Sequence, residues 1–390
     1  MKVYFDNNAT TPLIPEVKEQ VINSLEYYGN ASSKHDYGKT VRNQIEGTRS
    51  LIANYIKAEP GQIYFTSGAS EANNLIIKST TTCGAMCTSC NTGNQPHIIT
   101  TAIEHPSVLN TCKCVEGNGA KVTYLKVDEK GMIDLEELKK SIRPETRLIS
   151  ILFANNEIGT IQKIKEIGQI AKDKNIPFHT DSVQVFGKEF IDVDELNIDF
   201  LTFSGHKFNA LKGTGGLYMR KKGTVCPLIH GGHQEGMLRA GTENSVGIIS
   251  MGAALNHHIQ NIGRWKEIKK MRDSLEEYIL KNIPHTYVNG NIDSRLDNTS
   301  NISFDFVEGE AILLRLNYYG IYVSTGSACN SDSLDPSHVL IALGKRIELA
   351  HSSVRFSLGI QNTWEEIEYA KPKIKEVIEK LRMLSPLYKN

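Results

Sequence analysis

Leu148-Ile149-Ser150-Ile151-Leu152-Phe153 is the stretch on which the fold turns. A strand with one wet face alternates apolar and polar side chains. Here only Ser150 interrupts the apolar run, which predicts a strand buried on both faces. Such a strand needs helices above and below its sheet, and the flanking sequence offers them. Upstream, strand 63–66 precedes a helix from about Ser70, and strand 97–102 precedes a helix over 106–115. Strand 122–125 then leads to a helix over 135–142. Downstream, a helix over 164–174 is followed by strands 177–180, 199–203 and 216–219. This rhythm predicts an α/β fold with a doubly wound, mostly parallel sheet between about 60 and 220.

The pattern changes after about residue 245. Two long helices, 244–262 and 265–281, are followed by strand 302–306, helix 309–316, strand 321–324 and a charged terminal helix over 363–382. A smaller α+β unit is expected there. The expected division is an N-terminal segment 1–14 packing with the small unit, a large domain 15–257, and a small domain 258–390.

Composition narrows the function. The 390 residues include 44 basic and 44 acidic side chains, so balanced charge gives no electrostatic case for nucleic acid or an anionic membrane as partner. The longest apolar runs, 148–154 and 248–255, fall well short of the roughly 20 residues that span a bilayer. The first residues show no apolar leader core and the first arginine is Arg42, which points to the cytoplasm. Seven cysteines in a reducing compartment are expected as free thiols, and any that matters should matter chemically.

Lys207, in Ser204-Gly205-His206-Lys207, follows a buried strand, and open α/β sheets bind ligands at the C-terminal ends of their strands. Strand 177–180 leads into Asp181, with Gln184 three residues on; Thr66-Ser67-Gly68-Ala69-Ser70 is a small-residue turn into a helix; His105 follows a third strand. These groups match the needs of pyridoxal 5'-phosphate. That cofactor takes a lysine for a Schiff base and a carboxylate for the pyridinium nitrogen. It also takes a helix N-terminus for the phosphate and a flat side chain to stack on the ring.

Several motifs then coincide. Asp6-Asn7-Asn8-Ala9-Thr10-Thr11, Thr66-Ser67-Gly68-Ala69-Ser70-Glu71, Asn155-Asn156-Glu157-Ile158-Gly159, Ser204-Gly205-His206-Lys207 and Ser324-Thr325-Gly326-Ser327-Ala328-Cys329 occur in this order. With them the chain resembles the cysteine desulfurases of the NifS/IscS class, from its first residues to about Pro386. The resemblance implies a pyridoxal phosphate fold type I transferase with a seven-stranded-type large sheet, working as a cytoplasmic homodimer. It implies a sulfurtransferase that converts L-cysteine to L-alanine and passes persulfide sulfur to an iron–sulfur scaffold of the NifU/IscU type. Residue by residue, Lys207 would form the Schiff base, His105 would stack on the ring and assist proton transfer, and Asp181 would pair with the pyridinium nitrogen. Asn156 and Gln184 would bond the ring oxygen. Ala69, Ser70, Ser204 and His206 would hold the phosphate, with Thr242 contributed by the partner subunit. Arg355 and Asn156 would bind the substrate, Arg355 through its carboxylate, and Cys329 would be the sulfur-accepting nucleophile.

Four features depart from the family pattern. Ala31 and Leu211 stand where the family usually has proline. Ser182 stands beside Asp181 where alanine is common; a buried hydroxyl needs a partner, and Ser182→Ala is expected to alter cofactor affinity or spectrum slightly. Cys83, Cys87 and Cys90 form a C-x3-C-x2-C pattern that suits three irons of a cluster, with His97 as a conceivable fourth ligand. Their setting between a helix and a strand favours a surface loop with free thiols, with metal binding and sulfur relay as alternatives. Cys112, Cys114 and Cys226 are expected as structural thiols, and His230-Gly231-Gly232-His233 as a flexible loop rather than a metal pair. Two rival functions stay open: a selenocysteine lyase or another pyridoxal phosphate lyase or transaminase, and a non-enzymatic metal or cluster carrier using Cys83, Cys87 and Cys90.

Overall fold

The computed structural model describes residues 1–82, 95–325 and 335–388. Its centre is a seven-stranded sheet in the order Ile63–Thr66, Gly215–Met219, Phe200–Ser204, Phe178–Asp181, Thr146–Ser150, His97–Thr101, Lys121–Leu125. Every pairing is parallel except the two made by Gly215–Met219, which runs against both neighbours. The doubly wound sheet predicted from the apolar run is therefore present. Leu148 to Phe153 are all buried, and the run behaves as strand beyond Ser150, because Ile151 and Phe153 donate to the carbonyls of His179 and Asp181 (3.0 and 2.9 Å).

Helices cover both faces. Ile164–Asp173 buries Ile164, Ile167, Ile170 and Ala171 along one stripe at helical spacing. Gly168 lies in that stripe because a Cβ there would sit 2.0 Å from the Leu196 carbonyl oxygen. Helix Asp36–Tyr55, which the strand–helix rhythm did not include, buries Val41, Ile45, Thr48 and Ile52 against helix Ser245–Gln260.

A second core begins after residue 260. Helix Arg264–Asn282 packs against the antiparallel sheet Ser353–Ser357, Thr299–Phe304, Thr286–Val288, and the terminal helix Trp364–Leu384 packs on that helix. Val3 and Phe5 belong to this second core, and Val3–Tyr4 pairs in parallel with Ile321–Tyr322. Among the described residues, no helix is long and apolar enough to cross a membrane.

The antiparallel strand Gly215–Met219 passes very close to its surroundings. A Cβ on Gly216 would lie 2.3 Å from Phe203 Cζ, and Phe203 is itself stacked on Phe186 (4.3 Å between centroids), so it has nowhere to retreat. Gly216→Ala is expected to lower stability by about 1–3 kcal/mol through overpacking, read as a lower urea midpoint with an unchanged slope.

Candidate active site

Strand Phe200–Ser204 is buried at every position and ends in a tight turn, Gly205–Lys207. Gly205 permits the turn, since a Cβ there would meet Thr214 Oγ1 at 2.7 Å and Met251 Cγ at 3.0 Å. Beneath it, Phe208 packs on Phe186 (5.3 Å between centroids). Asn209 follows with a positive φ of 69°, and its side chain is held at both ends: Nδ2 donates to the Pro12 carbonyl (2.7 Å) and Oδ1 meets His258 Nε2 (2.9 Å). The turn is thereby fixed, and Lys207 is projected into a cleft, where Nζ donates to the carbonyls of Asn8 (2.6 Å) and Ala9 (2.9 Å).

This cleft has a volume of about 580 Å³, and its lining includes Ala69, Ser70, His105, Asn156, Asp181, Gln184, Ser204, His206 and Lys207. Nine residues singled out in the sequence, drawn from separate strand ends, thus meet in one place. Arg355 is not in the lining. It sits buried behind Asn156, whose carbonyl accepts from Nη1 (3.1 Å), while Nη2 pairs with Asp6 (2.7 Å). Thr242 lies on an exposed segment and lines a separate depression with Tyr28, Asn30 and Val41. Cys329 and the trio Cys83, Cys87 and Cys90 lie outside the described residues.

Two buried polar atoms without partners bear on the site, one in the cleft lining and one behind it. Gln184 donates its Nε2 hydrogen to the Asn8 carbonyl (3.1 Å), leaving Oε1 as a buried acceptor without a partner. A hydroxyl on a bound ring would satisfy it. Arg355 Nε is a buried donor without a partner, suited to a carboxylate. Asp181 accepts from Asn73 Nδ2 (2.9 Å) and from the Val183 N–H (3.1 Å), which holds the carboxylate at its strand end. The helix Ala69–Thr82 opens at the cleft, so its first amides are available to an anion. These residues fit pyridoxal phosphate.

The histidines of the site are neutral near pH 7. Burial, reinforced by the Lys207 charge, pushes His206 down to about 4. Burial likewise lowers His105. Next to it, Glu104 is wholly buried, with Oε1 accepting from Thr101 Oγ1 and the Leu152 N–H (both 2.9 Å), and with Oε2 unpartnered. Burial raises its carboxyl to about 8.

His97 is no metal ligand: its ring nitrogens face Thr146 Oγ1 and Thr123 Oγ1 at 2.8 Å each, inside the sheet. His230 and His233 are exposed, and among the described residues no group of three or more His, Cys, Asp or Glu is placed to hold a metal. Cys112 and Cys114 are free thiols. The Cys226 backbone is tied to Ser79 Oγ in the last turns of helix Ala69–Thr82. Ser182 Oγ donates to the Thr202 carbonyl (2.8 Å), so the hydroxyl is satisfied by the neighbouring strand. Leu211 uses the N–H that a proline would lack, donating to Ser250 Oγ (3.1 Å). Asn73, Ser107, Asp6 and Glu104 were given no role from the sequence. Asn73 had a signal, lying three residues after Ser70 and so on the same helical face.

A cleft at parallel strand ends, with a lysine and a carboxylate in its lining, defines the class, and comparison with known proteins agrees. The chain matches the Aminotransferase class-V family over residues 3–370 and belongs to it. It is 49% identical to a protein named cysteine desulfurase IscS from Methanosarcina thermophila, over 99% of this chain and 94% of that protein. A solved structure titled NifS-like protein superimposes with a TM-score of 0.89 at 37% identity, covering 98% of this chain and 100% of that one. Another, titled SspA in complex with cysteine, gives a TM-score of 0.80 at 36% identity, over 93% and 100% of the two chains.

Glu104 carries a consequence for stability. Its folded pKa is raised, so its contribution is fully present below about 4.5 and is lost as pH climbs towards about 8. Glutamine imitates the protonated acid. Glu104→Gln is expected to flatten the fall in stability between pH 5 and 8 by on the order of 2 kcal/mol, measured by urea unfolding at both pH values.

Proposed function

We infer that this chain is a pyridoxal phosphate-dependent cysteine desulfurase, converting L-cysteine to L-alanine and retaining the sulfur as a persulfide on Cys329. One observation carries the reading: Lys207, Asp181 and the unpartnered Oε1 of Gln184 converge in one cleft that opens on a helix N-terminus. In a relative of the desulfurase family these are the groups the cofactor requires. Lys207 would carry it covalently, Asp181 would face its ring nitrogen, Gln184 and Asn156 its ring oxygen, and His105 its face. Ala69, Ser70, Ser204 and His206 would hold its phosphate, joined by Thr242 of the partner subunit in a homodimer.

When bound, pyridoxal phosphate supplies an electron sink that labilises bonds at the α- and β-carbons of the amino acid. The chain's residues do the rest. Arg355 orients the substrate through its carboxylate, and its unpartnered Nε gives the donor for this. Cys329 attacks the substrate sulfur as thiolate: a sulfur–sulfur bond forms, the carbon–sulfur bond breaks, and the electron pair stays with the carbon skeleton that becomes alanine. The backbone of Ser324, shortly before Cys329 in sequence, pairs with the Arg355 backbone in both directions (3.3 and 2.7 Å), which supports the pairing of these two roles. An iron–sulfur scaffold protein is the proposed acceptor of the persulfide.

Cys329→Ala is expected to keep the bound-cofactor absorbance while releasing no alanine or sulfide from cysteine. A variant that still turns over at the wild-type rate would overturn the assignment. Arg355→Lys keeps the charge but loses the planar fork. It is expected to raise KM for cysteine about tenfold or more, with a smaller change in kcat, in steady-state alanine assays.

A further inference from the structure

We propose that Asn73 and Ser107 are positioning residues that hold neutral His105 as its Nε2–H tautomer, making it a hydrogen-bond donor towards the cleft. Asn73 is wholly buried on helix Ala69–Thr82. Its Oδ1 accepts from Thr202 Oγ1 (2.8 Å), and the two hydrogens on Nδ2 go to different partners, Asp181 Oδ2 (2.9 Å) and Ser107 Oγ (2.9 Å). The reversed amide would set a carbonyl oxygen against the Asp181 carboxylate, so the orientation is decided by charge.

That orientation has a directional effect on the next group. Because Ser107 Oγ accepts from Asn73, its own proton is left for its other neighbour, His105 Nδ1, at 2.8 Å. The Ser107 backbone N–H also aims at Nδ1 (3.1 Å), as His105 caps helix Pro106–Gly117. With two donors aimed at it, Nδ1 must present its lone pair. The single proton of the neutral ring then resides on Nε2, which has no protein partner among the described residues. His105 in this state cannot accept a proton at Nε2, and an entering thiol would meet a donor there. The same amide also holds Asp181, so one side chain sets the geometry on two sides of the cofactor site.

The proposal deepens the reading of this cleft and rests on His105 facing it, but its test needs no turnover. The probe is the ¹⁵N spectrum of imidazole-labelled holoenzyme and cofactor-free protein, with His105 assigned by loss of its signals in His105→Gln. Wild type is expected to show Nε2 protonated and Nδ1 bare in both forms; a majority Nδ1–H ring would overturn the proposal. Asn73→Ala frees Ser107 Oγ to accept from the ring. It is expected to shift the tautomer ratio towards Nδ1–H by about tenfold, the size of one ordinary hydrogen bond. Ser107→Ala, at a less buried position, removes the hydroxyl donor directly and is expected to shift the ratio in the same direction. It serves if Asn73→Ala does not fold. An unchanged ratio in the folded variants would show that the backbone N–H alone sets the tautomer and would overturn the role of both side chains. A desulfurase that is active with the opposite tautomer would leave the function standing and remove only this inference.

Discussion

The carbonyl oxygen of Asn8 is where the two halves of this protein meet. It accepts from Lys207 Nζ and from Gln184 Nε2, while the Asn8 side chain donates to the Asn156 carbonyl and to Thr299 Oγ1. Buried backbone and amide groups are costly to leave unpaired, and here each pairing spans a different element. Around it, Thr11 donates to the His206 carbonyl and accepts from the Asn209 N–H, and Asp6 pairs with Arg355. The segment from Asp6 to Thr11 is therefore a polar seam between the large sheet and the C-terminal core. Asn8 and Thr11 each make several of these bonds, so the seam ties the lysine turn to the loop of Asn156 and to strand Thr299–Phe304.

Charge in the cleft follows the same logic. Burial keeps His206 and His105 neutral, and it keeps Glu104 protonated over most of the physiological range. The charged groups at and around the cleft are local ones, among them Lys207, Asp181 held by Asn73, Lys212, the Glu71–Arg239 pair and the Arg355–Asp6 pair. A chain with zero net charge acting on a small zwitterion needs fixed groups at short range rather than an overall field. The apolar foundation matters equally. Phe186, Phe203 and Phe208 form a rigid aromatic layer under the lysine turn, so the turn cannot relax away from the cleft.

Much of this was legible in the residues. The apolar run at Leu148 announced a strand buried on both faces, and the strand–helix alternation placed Lys207, Asp181 and His105 at strand ends on one side of a sheet. Helix Asp36–Tyr55 escaped because its strongly polar composition dilutes the apolar stripe through Val41, Ile45 and Ile52. The reading of His97 as a possible ligand failed for a related reason: spacing to the cysteines says nothing about the strand hydroxyls that enclose the ring.

The sequence alone determined the sheet architecture, the chemical identity of the site groups and the family, because periodicity and ordered motifs are local properties of the chain. Only the tertiary structure decided which of those groups share a cleft, that Arg355 stands behind Asn156 already paired with Asp6, and which way the Asn73 amide points. Hydrogen-bond direction and burial depend on atoms brought together from distant parts of the chain: Asn73, Ser107, Asp181 and Thr202 span 129 positions and act as one network. No local pattern encodes that closure. It arises when packing of the two cores forces buried polar groups to find partners across the seam.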